Sequence, residues 1–287
     1  MRPARKFSSL VLAISFAICV FGGQTTHAVA QAQTASRESA LTPIQREIER
    51  QRQRLASTEV EDRRDALIRL KNLNRVEASR IAVVGLTDAV PVVRATAAHA
   101  IGHLPSEEDA ALLVPLLQDR VEFVRQEAAY ALGETRSRSA VQPLMSALLS
   151  DKKDSVRNAA AVALGWIGDE SAVVSLSQVL AGNVGTQSVT TGKKKKRKAK
   201  SRENEFLLRA AAHSLGQIRS RAGVPALVAA LSNEENYGDV RREAAIALGL
   251  IGDKSANPAL QTALGSSDPY LSRSAYDSLR KISNSKN

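Results

Sequence analysis

Beyond residue 60 the apolar positions recur with two periods at once. The short period is helical: Val93, Ala97, Ile101 and Leu104 lie three or four positions apart, the spacing that lines one face of an α-helix. The long period is about 31 residues, in the range of solenoid repeats. The stretch Val93-Arg94-Ala95-Thr96-Ala97-Ala98-His99-Ala100-Ile101-Gly102 returns as Val124 to Gly133, Val156 to Gly165 and Val240 to Gly249. Degenerate copies centre on Asp62 to Lys71, Leu207 to Gly216 and Leu271 to Arg280. With the arginine position set to zero, the seven copies have their zeros at 63, 94, 125, 157, 208, 241 and 272. The spacing is nearly constant except for one long gap, between 157 and 208.

Each copy predicts a helix packed on most of its circumference. Positions −1, +3, +6, +7 and +10 carry Val, Ala, Leu, Ile or similar residues and are expected to face the core. Alanine at +3, +4 and +6 permits close approach of neighbouring helices at no side-chain entropy cost. Glycine at +8, and again at +11 (Gly168, Gly252), is expected to loosen the helix end where a C-cap is wanted. A second amphipathic helix precedes each copy, as in Ala140 to Leu149 and Val224 to Leu231. Pro143, Pro225 and Pro258 fit the first turn of these helices, whereas Pro115 lies deeper and is expected to kink its helix. A two-helix unit of this size cannot bury its apolar face alone, so the units must stack. At roughly 8–10 Å per layer, seven layers make an arc of roughly 60 Å. Residues 31–58 read as a linker and a capping helix, opened by Thr42-Pro43 and carrying Ile44, Ile48 and Leu55; 59–282 read as the repeat body and 283–287 as a tail.

The word Val-Arg-x-x-Ala-Ala-x-Ala-Leu-Gly-x-Ile-Gly-Asp, nearly complete at 156–169 and 240–253, resembles the HEAT repeat, and more narrowly the short subtype named after phycocyanobilin lyases. The resemblance covers about 60–282 and implies an all-α fold, a right-handed α-solenoid of about seven two-helix repeats. It also implies a ladder in which the zero-position arginine pairs with an aspartate of an inter-helix turn. Asp88, Asp119 and Asp151 stand six positions before Arg94, Arg125 and Arg157, where a planar guanidinium suits bidentate pairing. Leu208 and Ser272 replace the arginine, so the ladder should break there.

Positions +1, +5 and +9 are expected to face away from the core, and in this fold class the second helix of each unit lines the concave side. Down the repeats, +5 and +9 read Ile68/Asn72, His99/His103, Tyr130/Glu134, Val162/Trp166, His213/Gln217, Ile246/Leu250 and Asp277/Lys281. This stripe holds three of the four histidines and the only tryptophan, in a chain that is 3% aromatic, so exposure there points to recognition of a protein partner. The alternative is that +5 packs sideways on the next repeat and Trp166 fills a groove. His99 and His103, four positions apart, with Glu134 from the next repeat, also form a possible metal half-site, although two histidines on a polar face are commonly just surface.

Residues 1–30 read as a secretory signal: Arg2, Arg5 and Lys6, an apolar run from Leu10 to Phe21, then Ala28-Val29-Ala30. An uncleaved anchor is the alternative, although the run is short of the roughly 20 residues that span a bilayer. Cys19, the sole cysteine, lies in this run, with Ile18 where a lipidation signal wants a small residue. Cleavage after Ala30 leaves no cysteine for disulfide, thiolate or metal. The formal charge of +11 is local: Lys193, Lys194, Lys195, Lys196, Arg197, Lys198, Lys200 and Arg202 form one run, and outside it and the leader the signs balance at 29 each. The surrounding stretch, 181–203, explains the long gap and reads as a disordered insertion. It is a candidate site for anionic lipid, an envelope polymer or another polyanion, with no aromatics to read nucleic-acid sequence.

No catalytic constellation is present: there is no His-Glu-x-x-His, no Gly-x-Ser-x-Gly and no phosphate loop. Bilin lyases share the repeat, but no evident residue holds such a pigment. Di-iron hydroxylases that share it use His-Glu dipeptides, and none of His27, His99, His103 or His213 precedes a glutamate. The expectation is a non-enzymatic, exported binding scaffold without a cofactor, either periplasmic or secreted. It engages a protein through the concave stripe or, alternatively, is tethered through the basic run.

Overall fold

The computed structural model describes residues 41–182 and 202–284, with side chains from Glu205 onward in the second segment. The leader, Cys19, Lys193 to Lys200 and the last three residues lie outside the described residues, as does the Arg202 side chain. Fourteen α-helices and no strand are found among the described residues: α1 (Pro43–Arg54), α2 (Val60–Asn72), α3 (Val76–Ala82), α4 (Pro91–Ala100), α5 (Ser106–Leu113), α6 (Glu122–Thr135), α7 (Val141–Ser150), α8 (Asp154–Ile167), α9 (Val173–Leu180), α10 (Arg202–Ile218), α11 (Val224–Ser232), α12 (Gly238–Ile251), α13 (Asn257–Leu264) and α14 (Pro269–Asn284). Among the described residues, those up to Gln53 form a separate unit. Its helix α1 opens with a capping box, in which Thr42 Oγ1 accepts from the Gln45 N–H and Gln45 Oε1 from the Thr42 N–H.

From Arg54 onward the chain is an α-solenoid. The even-numbered helices carry the repeated word and pack directly on one another in order, whereas successive odd-numbered helices touch only sparsely. A stack whose layers are tighter in one row bends toward that row, so the even row is the inner side. Val93, Ala97, Ala100 and Ile101 are buried, as are their counterparts Val124, Ala128, Ala131 and Leu132. The core is built of Leu, Ala, Val and Ile, with no aromatic residue among the buried positions described.

Glycine at +8 has a different role from the expected one. Gly133, Gly165, Gly216 and Gly249 lie inside their helices, or at the last turn, and meet the next even helix. A Cβ on them would stand 2.5–2.9 Å from Ala163, Ser214, Ala247 and Ser278, which occupy position +6 of the following repeats. The contact is a backbone-to-backbone seam, so it requires the smallest residue on one side and a small one on the other. The Gly165–Ser214 seam spans the long gap, so α8 and α10 pack as consecutive layers despite the insertion. The helix-ending role belongs to +11: Gly168 and Gly252 take left-handed φ values of 75° and 78° at the C-caps of α8 and α12. Pro115 does not kink a longer helix; α5 stops at Leu113 and Pro115 opens a separate 3₁₀ turn, Val114–Gln118.

The arginine ladder also runs one step out of the expected register. Arg94 does not take the Asp88 carboxylate six positions behind it. On that side it donates to the Asp88 backbone carbonyl (Nη1–O 2.8 Å), while Nε and Nη2 reach the next repeat's Asp119 carboxylate at 2.7 and 2.9 Å. Arg125 repeats this on the Asp119 carbonyl and the Asp151 carboxylate, and Arg63 takes the Asp88 carboxylate. Each aspartate also receives a backbone N–H two positions on, from Val90, Val121 or Lys153, which turns the chain into the next even helix. The same turn holds the carboxylate toward the arginine of the preceding repeat. Burial alone would raise the Asp119 carboxyl; the Arg94 guanidinium and the Val121 N–H outweigh it and hold it below the ordinary range. Arg157 binds Leu148 O and Asp154, and position 202, six before Leu208, is an arginine where the second, third and fourth copies have aspartate. A separate rung forms later, from Arg242 at +1 to Asp268.

One position breaks the pattern of the odd helices. Ala78, Ala140, Ala172, Gly223 and Ala256 occupy the same buried place at the head of each first helix, against the even row. In the third repeat that place is Asp109, 3% exposed, with no hydrogen-bond partner for Oδ1.

Candidate functional site: the exposed face of the even-numbered helices

The even helices must bury −1, +3, +6 and +7 between layers, so their remaining surface is the inner face of the stack. His103, Glu134, Trp166, His213 and Gln217 are exposed there, and His99, Tyr130, Val162, Ile246 and Leu250 are half-buried. Apart from Leu250, the half-buried ones occupy position +5. Tyr130 packs on Trp166 of the next repeat, with ring centroids 6.1 Å apart and planes tilted by 38°. The Trp166 ring lies across the Gly133 backbone, where a Cβ would meet Cε3 at 2.9 Å. Leu250 lies likewise over Gly216. Partner-facing and sideways-packed are therefore not exclusive: Trp166 fills a seam with one edge and keeps 37% of its surface open.

His99 and His213 pair laterally with glutamates of the adjoining repeat. α4 ends at Ala100, so His103 lies beyond the helix and its ring does not share a helical face with His99. His99 Nε2 stands 3.0 Å from Glu127 Oε2, and Nδ1 stands 3.5 Å from Glu134 Oε2, both carboxylates being on α6. The Glu134 contact and the Glu127 hydrogen bond outweigh burial, and the imidazole is held above its ordinary pKa. His213 repeats the arrangement with Glu243 at 2.8 Å. Among the described residues no group of three or more metal-ligating side chains is placed to hold an ion.

Aromatic residues that the stripe at +5 and +9 does not include occupy position −2, at the start of the even helices. Phe123, Phe206 and Tyr270 are 47%, 51% and 71% exposed. Reading the aligned copies two positions further upstream shows an aromatic in three of seven. Arginines at +1 lie over two of these rings, Arg209 over Phe206 at 5.5 Å and Arg242 over Tyr270 at 5.3 Å. Tyr276, also exposed, stands at +4 of the last helix, where every earlier repeat has a buried residue such as Ala98 or Ala245; it belongs to the end of the stack.

Two shallow grooves open on this face. One, of about 250 Å³, is lined by Arg64, Ile68, Thr96, His99, Phe123 and Glu127 among others. The other, of about 340 Å³, is lined by Asn158, Val162, Phe206, Arg209, Ala210, His213 and Glu243.

Comparison with known proteins places this architecture. The chain matches the HEAT repeats family over residues 48–133, 119–187 and 224–287. The chain belongs to the HEAT-repeat family. Residues 207–233 match the PBS lyase HEAT-like repeat as well. Among solved structures, this HEAT-repeat chain is similar to an engineered protein (22% identity, 82% of this chain and 68% of that one, TM-score 0.50). It is also similar to the complex of CpcE and CpcF of phycocyanin lyase from Nostoc sp. (20% identity, 82% and 93%, TM-score 0.47) and to human deoxyhypusine hydroxylase (21%, 83% and 96%, TM-score 0.39). At these identities the likeness is one of fold. No match was found among functionally curated proteins.

Proposed function

We propose that this HEAT-repeat protein is a non-enzymatic scaffold that works outside the cytoplasm and holds a protein partner along the inner face of its even-numbered helices. One observation carries the reading: no aromatic residue is buried among those described, and five of them, Phe123, Tyr130, Trp166, Phe206 and Tyr270, stand on that one face. Large rings gain most from burial, and a chain that fills its core with Leu and Ala has left them where only a partner can cover them. His99 and His213 are engaged by glutamates of the adjoining repeat, which fixes the orientation of both rings on the recognition surface. The exported location rests on the charged, apolar and small-residue order of residues 1–30.

Crosslinking in the native extract, with partners identified by mass spectrometry, tests the reading. A partner retained by the parent chain and lost with Tyr130→Ala/Trp166→Ala supports it. A partner lost only when residues 184–200 are deleted overturns it in favour of tethering to a polyanion through Lys193 to Lys200. That second reading is favoured by the concentration of the excess charge in one run, and it predicts binding that weakens steeply with salt.

A further inference from the structure

The two inner-face grooves share part of one plan. The first has α4 as its floor and the second α10, and both floors present positions −2, +2 and +5: Val92, Thr96 and His99 in one, Phe206, Ala210 and His213 in the other. The preceding helix adds its +5 aliphatic side chain, Ile68 or Val162, and the following helix adds a glutamate at +2, Glu127 or Glu243. In each groove the glutamate is held by the groove's own histidine, at 3.0 and 2.8 Å. The residue pattern is selective. Histidine at +5 occurs in two of the seven repeats, glutamate at +2 occurs in two, and each glutamate is in the repeat directly after a histidine.

The charge of the grooves indicates what fits them. The single carboxylate lining each is engaged by histidine, while a cation is presented by Lys71 in the first and by Arg209 in the second; Arg64 of the first is already held by Glu61, at 2.8 and 3.0 Å. Each also has an exposed phenylalanine, Phe123 from the following helix in the first and Phe206 from the floor helix in the second. An apolar side chain beside a carboxylate is complementary to this lining. The grooves are three helix layers apart, roughly 24–30 Å at 8–10 Å per layer. An extended chain covers that distance in about 7–9 residues, and between the grooves it would cross the Tyr130–Trp166 pair on α6 and α8.

We propose that these grooves are the two halves of one bipartite docking site. Its occupant is an extended segment of a partner protein with two apolar side chains about eight residues apart, each followed by an acidic residue. The inference rests on the scaffold reading above and adds the chemistry and spacing of the ligand.

The test uses the full chain and fluorescein-labelled synthetic peptides, read by anisotropy. The peptides contain one Leu-Glu unit or two in a Gly/Ser background. In the matched peptide the two leucines are about eight residues apart, the groove separation in extended chain; two others halve and double that spacing. The matched peptide should bind about 100-fold tighter than the single unit, through the raised effective concentration of the second unit. The peptide with halved spacing should bind like the single unit. Phe123→Ser and Phe206→Ser, at exposed positions, should each return the matched peptide to single-unit affinity with unchanged circular dichroism. Affinity independent of spacing, affinity unaffected by either variant, or no binding by any peptide overturns the proposal. If no peptide binds while the crosslinked partner is still lost with Tyr130→Ala/Trp166→Ala, the bipartite site falls and the scaffold reading stands. If the matched peptide binds through both grooves while the crosslinked partner ignores Tyr130 and Trp166, the site stands and that partner is reached by another surface.

Discussion

Asp109→Ala should stabilise this protein at pH 8 and leave it nearly unchanged at pH 4. Five other repeats put Ala or Gly in this place, so alanine fits the space and only the carboxyl is lost. Burial, with smaller contributions from the Glu134 and Glu108 charges, raises the Asp109 carboxyl from 3.8 to about 7. Below pH 4 the group is protonated whether the chain is folded or not, and it exerts no pH-dependent effect. Between pH 4 and 7 the unfolded chain releases a proton that the folded chain retains, so stability falls as pH rises, and it levels off above 7. Some 3 pH units at about 1.36 kcal/mol each give roughly 4 kcal/mol at full burial; relaxation and water entry reduce this to about 2–4 kcal/mol. Urea unfolding followed by the fluorescence of Trp166, the only tryptophan, measures it at several pH values. Other titrating groups cancel in the variant-minus-parent difference. A difference that stays the same from pH 4.5 to 8 would refute the reasoning, since it would mean that Asp109 ionises normally in the folded state.

Gly165→Val should cost about 1–3 kcal/mol or more, because its Cβ would meet Ser214 and Gln217 at 2.5 Å; Gly102→Ala, where the nearest atom is 3.8 Å away, should cost well under about 1 kcal/mol in the same urea titration. Removing a 7%-exposed ladder guanidinium with Arg94→Ala should cost about 3–5 kcal/mol and leave Asp119 unpaired, with Arg94→Lys recovering only part of it. The Asp119 and Asp88 carboxyls are held low by their arginines, so that part of the stability is present above pH 4 and is lost as pH falls through their folded values; acid unfolding of Arg94→Ala should be correspondingly less steep. His99→Gln should remove a contribution that is complete below about pH 6.5 and lost as pH rises through the raised folded value, which NMR titration of the ring also reads directly.

Much of the fold was legible because the repeat states its own periodicity seven times. Burial at −1, +3, +6 and +7 follows from helical spacing, and the inner stripe is what remains. Three features depart from the sequence pattern for a common reason: the residue's partner lies in the next layer and not along its own segment of chain. Glycine at +8 looked like a helix end because glycine often is one, yet it makes room for position +6 of its neighbour. Asp119 looked like the partner of Arg125, six positions on, but its backbone turn aims it back at Arg94. His99 and His103 looked like a pair along one helix, but that helix ends between them. Phe123 and Phe206 stand at −2, just outside the repeated word, which begins at −1.

The sequence by itself determined the unit, its length, the two-helix division, the place of the insertion and which face of each even helix is free of core residues. These depend on local spacing and composition, which one chain segment contains entirely. Only the tertiary structure decided the registry between layers: which aspartate each arginine reaches, which small residue each glycine admits, and which glutamate each histidine holds. Consecutive layers lie a whole repeat apart in sequence and in van der Waals contact in space, so the offset between them is set by packing volume and is written in no single repeat. The two inner-face grooves arise at that level, since each is assembled from three helices and neither exists in any one of them.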